Sequence, residues 1–106
     1  MKIVSVKVRI KQGRAGEFAA GVQKMVRAIE QVDGTLAFVV SQSDQDPHDF
    51  RFFEIYRDEA AFQEHLRVSN AELPGREVLD ALVEGGFRPT FGRHVAGGVR
   101  LGATRG

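Results

Sequence analysis

The stretch Gly34–Leu66, GTLAFVVSQSDQDPHDFRFFEIYRDEAAFQEHL, decides the fold of this chain. Residues Thr35–Ser43 are rich in β-formers and nearly all apolar at their start, which predicts a strand buried on both faces. A polar loop containing Pro47 follows. Residues Phe50–Arg57 then alternate between two faces, as a second strand of this stretch would.

A short helix closes the stretch. Asp58 is a good N-cap residue, and residues Ala60–Leu66 are predicted to be helical. The order strand, loop, strand and helix places His65 where a sheet and a helix enclose a pocket. If the protein is an enzyme, this is the first place to look for its chemistry.

The N-terminal part supplies one strand and one helix. Residues Lys2–Lys11 alternate polar and apolar residues and are rich in β-branched side chains, which predicts a strand. From Ala15 to Ile29, apolar residues recur at spacings of three and four, the strongest helical stripe in the chain. Asp33-Gly34 is predicted to end this helix.

The C-terminal part is less regular. Residues Ser69–Leu73 are predicted to be irregular, and Pro74 to open a further helix that Gly85-Gly86 would close. Residues Phe87–Val95 have the composition of a last strand, in which Pro89 favours an edge position or a bulge.

This order, β-α-β-β-α-(α)-β, predicts an α+β fold with a ferredoxin-like split βαβ topology and an antiparallel sheet. One sheet face is expected to be covered by helices and the other to be bare, with large apolar side chains from the first three strands. A large bare apolar face favours a homodimer in which two sheets face each other. Residues 1–95 are expected to form a single domain, and the glycine-rich residues 96–106 a C-terminal tail.

The composition excludes several classes of function. The 106 residues suit one domain, and a net charge of +1 gives no reason to expect nucleic acid or a membrane as partner. The absence of cysteine excludes disulfides and thiolate metal sites. No apolar run approaches the roughly 20 residues of a membrane span, so the cytoplasm is the default location. His48, His65 and His94 lack metal-ligand spacing, so no metal site is predicted.

The segment GTLAFVV, followed by FRFFEIYRDEAAFQEHL, resembles the antibiotic-biosynthesis monooxygenase (ABM) family. The resemblance covers about residues 1–95 and is most specific in Gly34–Leu66. The residues that match the family pattern E-x-W/Y-x-D-x-x-A-x-x-x-H are Glu54, Tyr56, Asp58, Ala61 and His65. The resemblance implies a dimeric α/β barrel and, for several branches of the family, oxygenation of quinol-type substrates without a cofactor.

The chain also departs from its relatives. It has no tryptophan, and its single asparagine, Asn70, lies outside the first strand, which argues against the haem-degrading branch. Relatives with a histidine at the position of His65 often carry a second one five residues later, where this chain has Asn70. The expected function is therefore a monooxygenase with no cofactor and a small aromatic substrate.

His65 is the candidate catalytic residue, because an imidazole near neutral pH can accept a proton from a phenolic hydroxyl. The candidate substrate-binding residues combine hydrogen-bonding groups with an aromatic wall: Tyr56, Glu54, Asn70, Phe38 and Phe52. Most of them also have a structural interpretation, namely local packing for His65, an ion pair for Glu54 and core packing for the aromatic residues. Two alternatives to the oxygenase stay open: a barrel that binds or isomerises a small ligand, and a structural dimer module.

Overall fold

The computed structural model describes residues 1–71 and 75–99 of the chain. Its elements, in chain order, are β1 (Lys2–Ile10), α1 (Ala15–Ile29), β2 (Thr35–Gln42), β3 (Asp49–Tyr56), α2 (Glu59–Ala71), α3 (Arg76–Ala81) and β4 (Val83–Arg93). No helix among these residues is long and apolar enough to cross a membrane.

The four strands form one antiparallel sheet in the order β2-β3-β1-β4. This order and the helices confirm the predicted α+β, ferredoxin-like fold. Strand β4 lies at an edge, where the missing N–H of Pro89 does not interrupt the sheet.

Alternation along β1 and β3 builds the core. On β1, Val4, Val6 and Val8 point to the helix-covered face, while the residues between them are exposed. The buried positions of β3 lie directly opposite them, as in the pair Val6 and Phe52. Helix α1 adds Phe18, whose ring lies 4.9 Å from that of Phe50 in an edge-to-face arrangement.

The opposite sheet face carries none of the helices that residues 1–71 and 75–99 form. Phe53 on β3 is 45% exposed and its cross-strand neighbour Val39 on β2 is 52% exposed. Beside them, Ile3 and Ile55 pair across β1 and β3 and are half-buried. The prediction that the first three strands leave apolar side chains on a bare face is confirmed.

Helix α2 is longer than the predicted Ala60–Leu66. It continues to Ala71, so Ser69 and Asn70 are helical and not irregular. No glycine or proline interrupts the chain between Glu59 and Leu73, so nothing stops the helix at Leu66. The end of the apolar stripe was therefore the wrong signal for the end of the helix. The predicted helix start at Pro74 lies outside the described residues.

The Gly85-Gly86 pair does not close a helix. Helix α3 ends at Ala81, and both glycines lie inside β4, each with φ of +78°. Strand β4 pairs Arg88 with Lys7 and Glu84 with Arg9, so three residues of β4 lie opposite one of β1. The glycines form a bulge, which needs the same left-handed backbone conformations as a helix C-cap.

Candidate functional site

Strand β3 carries a polar pair on its helix-covered face. Phe52, Glu54 and Tyr56 follow at every second position and are 5%, 4% and 0% exposed. Because side chains alternate along a strand, the spacing that buries Phe52 and Tyr56 also buries the carboxyl group of Glu54 between them. A buried carboxyl group needs partners close by.

Helix α2 places His65 above this pair. The Asp58 carboxylate caps the helix by accepting a hydrogen bond from the Ala61 amide at 2.8 Å. This start orients Ala61, Phe62 and His65 towards the sheet, and all three are buried. The His65 ring lies 5.1 Å from the ring of Tyr56 and 5.6 Å from that of Phe38.

A cavity of about 260 Å³ lies between the sheet and the helices at this point. Its apolar wall includes side chains from α1 and from all four strands. The aromatic residues of the wall are Phe38, Phe52, Phe62, Phe87 and Phe91. Its polar groups are Glu54, His65, Ser69, Asn70 and Arg76. A mostly apolar cavity with a few convergent polar groups is typical of a small-molecule site.

The two polar neighbours of Glu54 lie at different distances from its carboxyl group. Its Oε1 atom accepts a hydrogen bond of 2.5 Å from the Tyr56 hydroxyl and lies 3.7 Å from Nε2 of His65. The second distance is too long for a hydrogen bond. Nδ1 of His65 is buried and has no hydrogen-bond partner among residues 1–71 and 75–99.

Burial shifts the titration of this group. It raises the pKa of Glu54, an effect that the Tyr56 hydrogen bond partly offsets. Burial, with the positive charge of Arg76, lowers the pKa of His65 to about 4. The pKa of Tyr56 is raised by burial and by its hydrogen bond to Glu54, so its hydroxyl keeps its proton. The imidazole is therefore neutral at pH 7, and its pKa lies well below the near-neutral value expected from the sequence.

Arg76 is a cavity residue that sequence reasoning missed. Its guanidinium donates to the Ser69 hydroxyl and to the Ser69 carbonyl, pairs with Asp80 at 2.9 Å, and lies 5.4 Å from the centre of the Phe87 ring. In the sequence, Arg76 and Asp80 have the four-residue spacing of an ordinary surface ion pair on a helix. Only the extension of α2 to Ser69 brings the arginine to the cavity.

The structure brings most of the predicted site residues together. His65, Glu54, Asn70, Phe38 and Phe52 all line the same cavity. Tyr56 is fully buried beside it and donates its hydroxyl to Glu54. Within the described part of the chain, no three His, Asp or Glu side chains form a group that could hold a metal ion.

Fold and cavity together define a ferredoxin-like α+β protein with a small aromatic-lined site between its sheet and its helices. The sequence model of the family described as antibiotic biosynthesis monooxygenase matches residues 1–70. The chain belongs to this family. A search of curated proteins finds no match to the sequence.

Solved structures agree with the fold. A Nitrosomonas europaea protein assigned to the antibiotic biosynthesis monooxygenases has a TM-score of 0.82 at 17% identity, covering 91% of this chain and all of that one. A similarly assigned protein from Deinococcus radiodurans has a TM-score of 0.73 at 22% identity, with 95% and 98% covered. SnoaB, a cofactor-independent oxygenase from Streptomyces nogalater crystallised as a mutant, gives 0.71 at 14% identity, with 91% and 95% covered. At these identities the likeness shows the fold alone.

Proposed function

We propose that this protein is a cofactor-independent monooxygenase that acts on a small aromatic quinol-type substrate bound in the cavity. The observation that carries the proposal is a buried Glu54–His65 pair at the wall of an apolar, aromatic-lined cavity of ring-accommodating size. Membership of the family, and the name of SnoaB as a cofactor-independent oxygenase, support it.

The reaction requires little from the protein. A quinol that has lost a proton is electron-rich and reacts with O₂ once it is held away from water. The substrate itself supplies both electron pairs that reduce O₂, with one oxygen atom going to the ring carbon and the other to water. The protein contributes a proton acceptor and a dry cavity.

Each candidate residue has a role in this proposal. His65 meets the reacting hydroxyl and takes part in its deprotonation. Phe38 and Phe52, whose rings are 5.8 Å apart and nearly perpendicular, hold the substrate ring. Asn70 offers a hydrogen bond to a second oxygen of the substrate. Tyr56 acts through Glu54, to which its hydroxyl donates.

Oxygen consumption with a panel of simple quinols tests the proposal. We expect His65→Ala to lower kcat by about 100-fold, the usual scale for losing a general base. His48→Gln is the matched control, because His48 lies away from the cavity, beside Asp46 and the Gly13 amide. Equal rates for wild type and His65→Ala would remove His65 from the mechanism, and no oxygen uptake with any quinol would remove the oxygenase itself.

The proposed enzyme is a homodimer. The bare sheet face exposes Phe53 and Val39, and a second copy of the chain would cover them. The sheets would then face each other, as expected for a dimeric α/β barrel.

A second candidate is a ligand-binding or isomerase-like protein of the same fold. The low pKa of His65 favours the ligand-binding form of this candidate, because an imidazole with a pKa of about 4 is a weak base at neutral pH. A ligand-binding protein would hold quinols or phenols without consuming oxygen, and an isomerase-like one would also move protons on them. Binding by calorimetry without oxygen uptake would identify it.

A further inference from the structure

The two ring nitrogens of His65 have different surroundings. Nε2 faces the carboxyl group of Glu54 at 3.7 Å, whereas Nδ1 is buried without a partner among the described residues. The acceptor beside Nε2 favours the tautomer with its proton on Nε2, which leaves a free lone pair on Nδ1. A buried polar atom without a partner costs about 1–3 kcal/mol. His65 lines the cavity, and a substrate hydroxyl that reached Nδ1 from there would satisfy it.

Glu54 has no positive partner among the described residues. In the part of the chain that the structure describes, no lysine or arginine forms an ion pair with it, and its neighbours are the Tyr56 hydroxyl and His65. Glu54 as a whole is 4% exposed. A buried carboxylate without a cation becomes more stable when it takes up a proton.

We propose that His65 and Glu54 form a two-step proton relay for a substrate that carries an acidic ring hydroxyl. The hydroxyl proton moves to Nδ1 of His65 while the proton on Nε2 moves to the Glu54 carboxylate. The substrate O–H bond and the Nε2–H bond break, and an Nδ1–H bond and a carboxyl O–H bond form. The products are a phenolate, a neutral imidazole in its other tautomer, and a neutral carboxylic acid.

The relay transfers the negative charge of Glu54 to the substrate oxygen and needs no imidazolium intermediate. It rests on the proposed function, in which this phenolate reacts with O₂. The 3.7 Å between Nε2 and Oε1 must shorten by about 0.8 Å to become a hydrogen bond. Catalytic hydrogen bonds are often long in ligand-free enzymes and tighten on substrate binding.

The charges around the cavity suit the relay. Among the described residues, the titratable or charged side chains that line it are His65 on α2, Glu54 on β3 and Arg76 on α3; α1, β1, β2 and β4 contribute only apolar ones. The pKa of His65, lowered to about 4, disfavours a lasting imidazolium. The pKa of Glu54, raised by burial, makes its carboxylate the better final acceptor.

Glu54→Gln tests the relay, because glutamine keeps an oxygen for the Tyr56 hydroxyl but cannot take the proton. We expect kcat for oxygen consumption to fall about 100-fold while KM changes less than about threefold. Glu59→Gln, a surface carboxylate that pairs with Lys2, is the matched control and should keep wild-type rates. A kcat for Glu54→Gln within about threefold of wild type would overturn the relay.

Tyr56→Phe adds a readout that a merely structural role would not change. The Tyr56 hydrogen bond lowers the pKa of Glu54, so its removal raises that pKa. Because the relay needs the carboxylate, the acid limb of the kcat profile should move to higher pH. An unmoved acid limb in a folded Tyr56→Phe protein contradicts the relay.

Binding of para-nitrophenol separates the relay from the oxygenase, because its phenolate is coloured and no oxygen is needed. At a pH where free para-nitrophenol is protonated, wild type should bind it as the coloured phenolate. Glu54→Gln should bind it with similar affinity, but in the colourless phenol form. Ionisation without oxygen uptake from any quinol would sink the proposed function and keep the relay. Oxygen uptake that Glu54→Gln leaves unchanged would keep the proposed function and overturn the relay. A wild-type protein that neither ionises para-nitrophenol nor takes up oxygen would overturn both.

Discussion

At the scale of single residues, the site depends on the buried pair Glu54 and His65, which has little contact with solvent and little countercharge. Glu54 and His65 are 4% and 7% exposed, and their pKa values move in opposite directions because burial disfavours the charged form of each. Alternation along the strand could predict that Glu54 is buried, since it lies between Phe52 and Tyr56. The depressed pKa of His65 could not be predicted, because it depends on the depth of its burial and on Arg76, which is near only in the folded chain.

The stability of the protein should therefore depend on His65 in acid. The folded-state pKa of about 4 lies below the ordinary 6.5, so the unfolded chain binds the proton first as the pH falls. The free energy of unfolding should drop between pH 6.5 and 4, by about 3 kcal/mol from this group. The free energy of unfolding, measured with urea at several pH values, should depend less on pH in His65→Gln than in wild type. A variant profile parallel to that of wild type would contradict this assignment.

At the scale of elements, the sequence predicted β1, β2, β3 and α1 well because each has a regular pattern over many residues, whereas β4 starts at Val83 and not at the predicted Phe87. The errors fall where a local signal has two meanings. Gly85-Gly86 fits either a helix end or a strand bulge, and only the pairing of Arg88 with Lys7 decides between them. The end of α2 depends on the buried Ser69, whose packing against Arg76 of the next helix is a tertiary contact.

Gly34 and Gly86 offer a matched pair for the packing between elements. Both have positive φ, +84° and +78°, so alanine is strained at either position. A Cβ at Gly86 would meet nothing within 4 Å, whereas one at Gly34 would lie 2.4 Å from the Ala61 Cβ on α2.

We expect Gly86→Ala to lower the free energy of unfolding by about 1 kcal/mol, from backbone strain alone. Gly34→Ala should cost about 2 kcal/mol more, because α2 must also move away from the α1–β2 connection. Chemical denaturation of both variants gives the difference. Equal losses in stability would mean that α2 moves away from position 34 at Ala61 without an energetic cost.

At the scale of the whole molecule, the bare sheet face has two unlike halves. One half is apolar, with Ile3, Val39, Phe53 and Ile55 side by side on β1, β2 and β3. In the other half, Lys7 lies directly between Arg51 and Arg88 in the cross-strand register, and none of these three cations forms an ion pair within the described residues. Like charges in direct register are unfavourable, so a second copy should contact the apolar half and leave the cationic rows near solvent.

Phe53→Lys should therefore dissociate the proposed homodimer, because it places a charge at the centre of the apolar half while leaving the cavity residues on the other sheet face in place. Light scattering should give the mass of two chains for wild type and of one for the variant. Val78→Lys is the control, since Val78 is 62% exposed on α3, away from the sheet face, and this variant should stay dimeric.

Moderate salt should strengthen the wild-type dimer by screening the repulsion between cationic rows. A single-chain mass for wild type at all protein and salt concentrations tested would exclude the dimer. The cavity of each chain would then have to work without a partner.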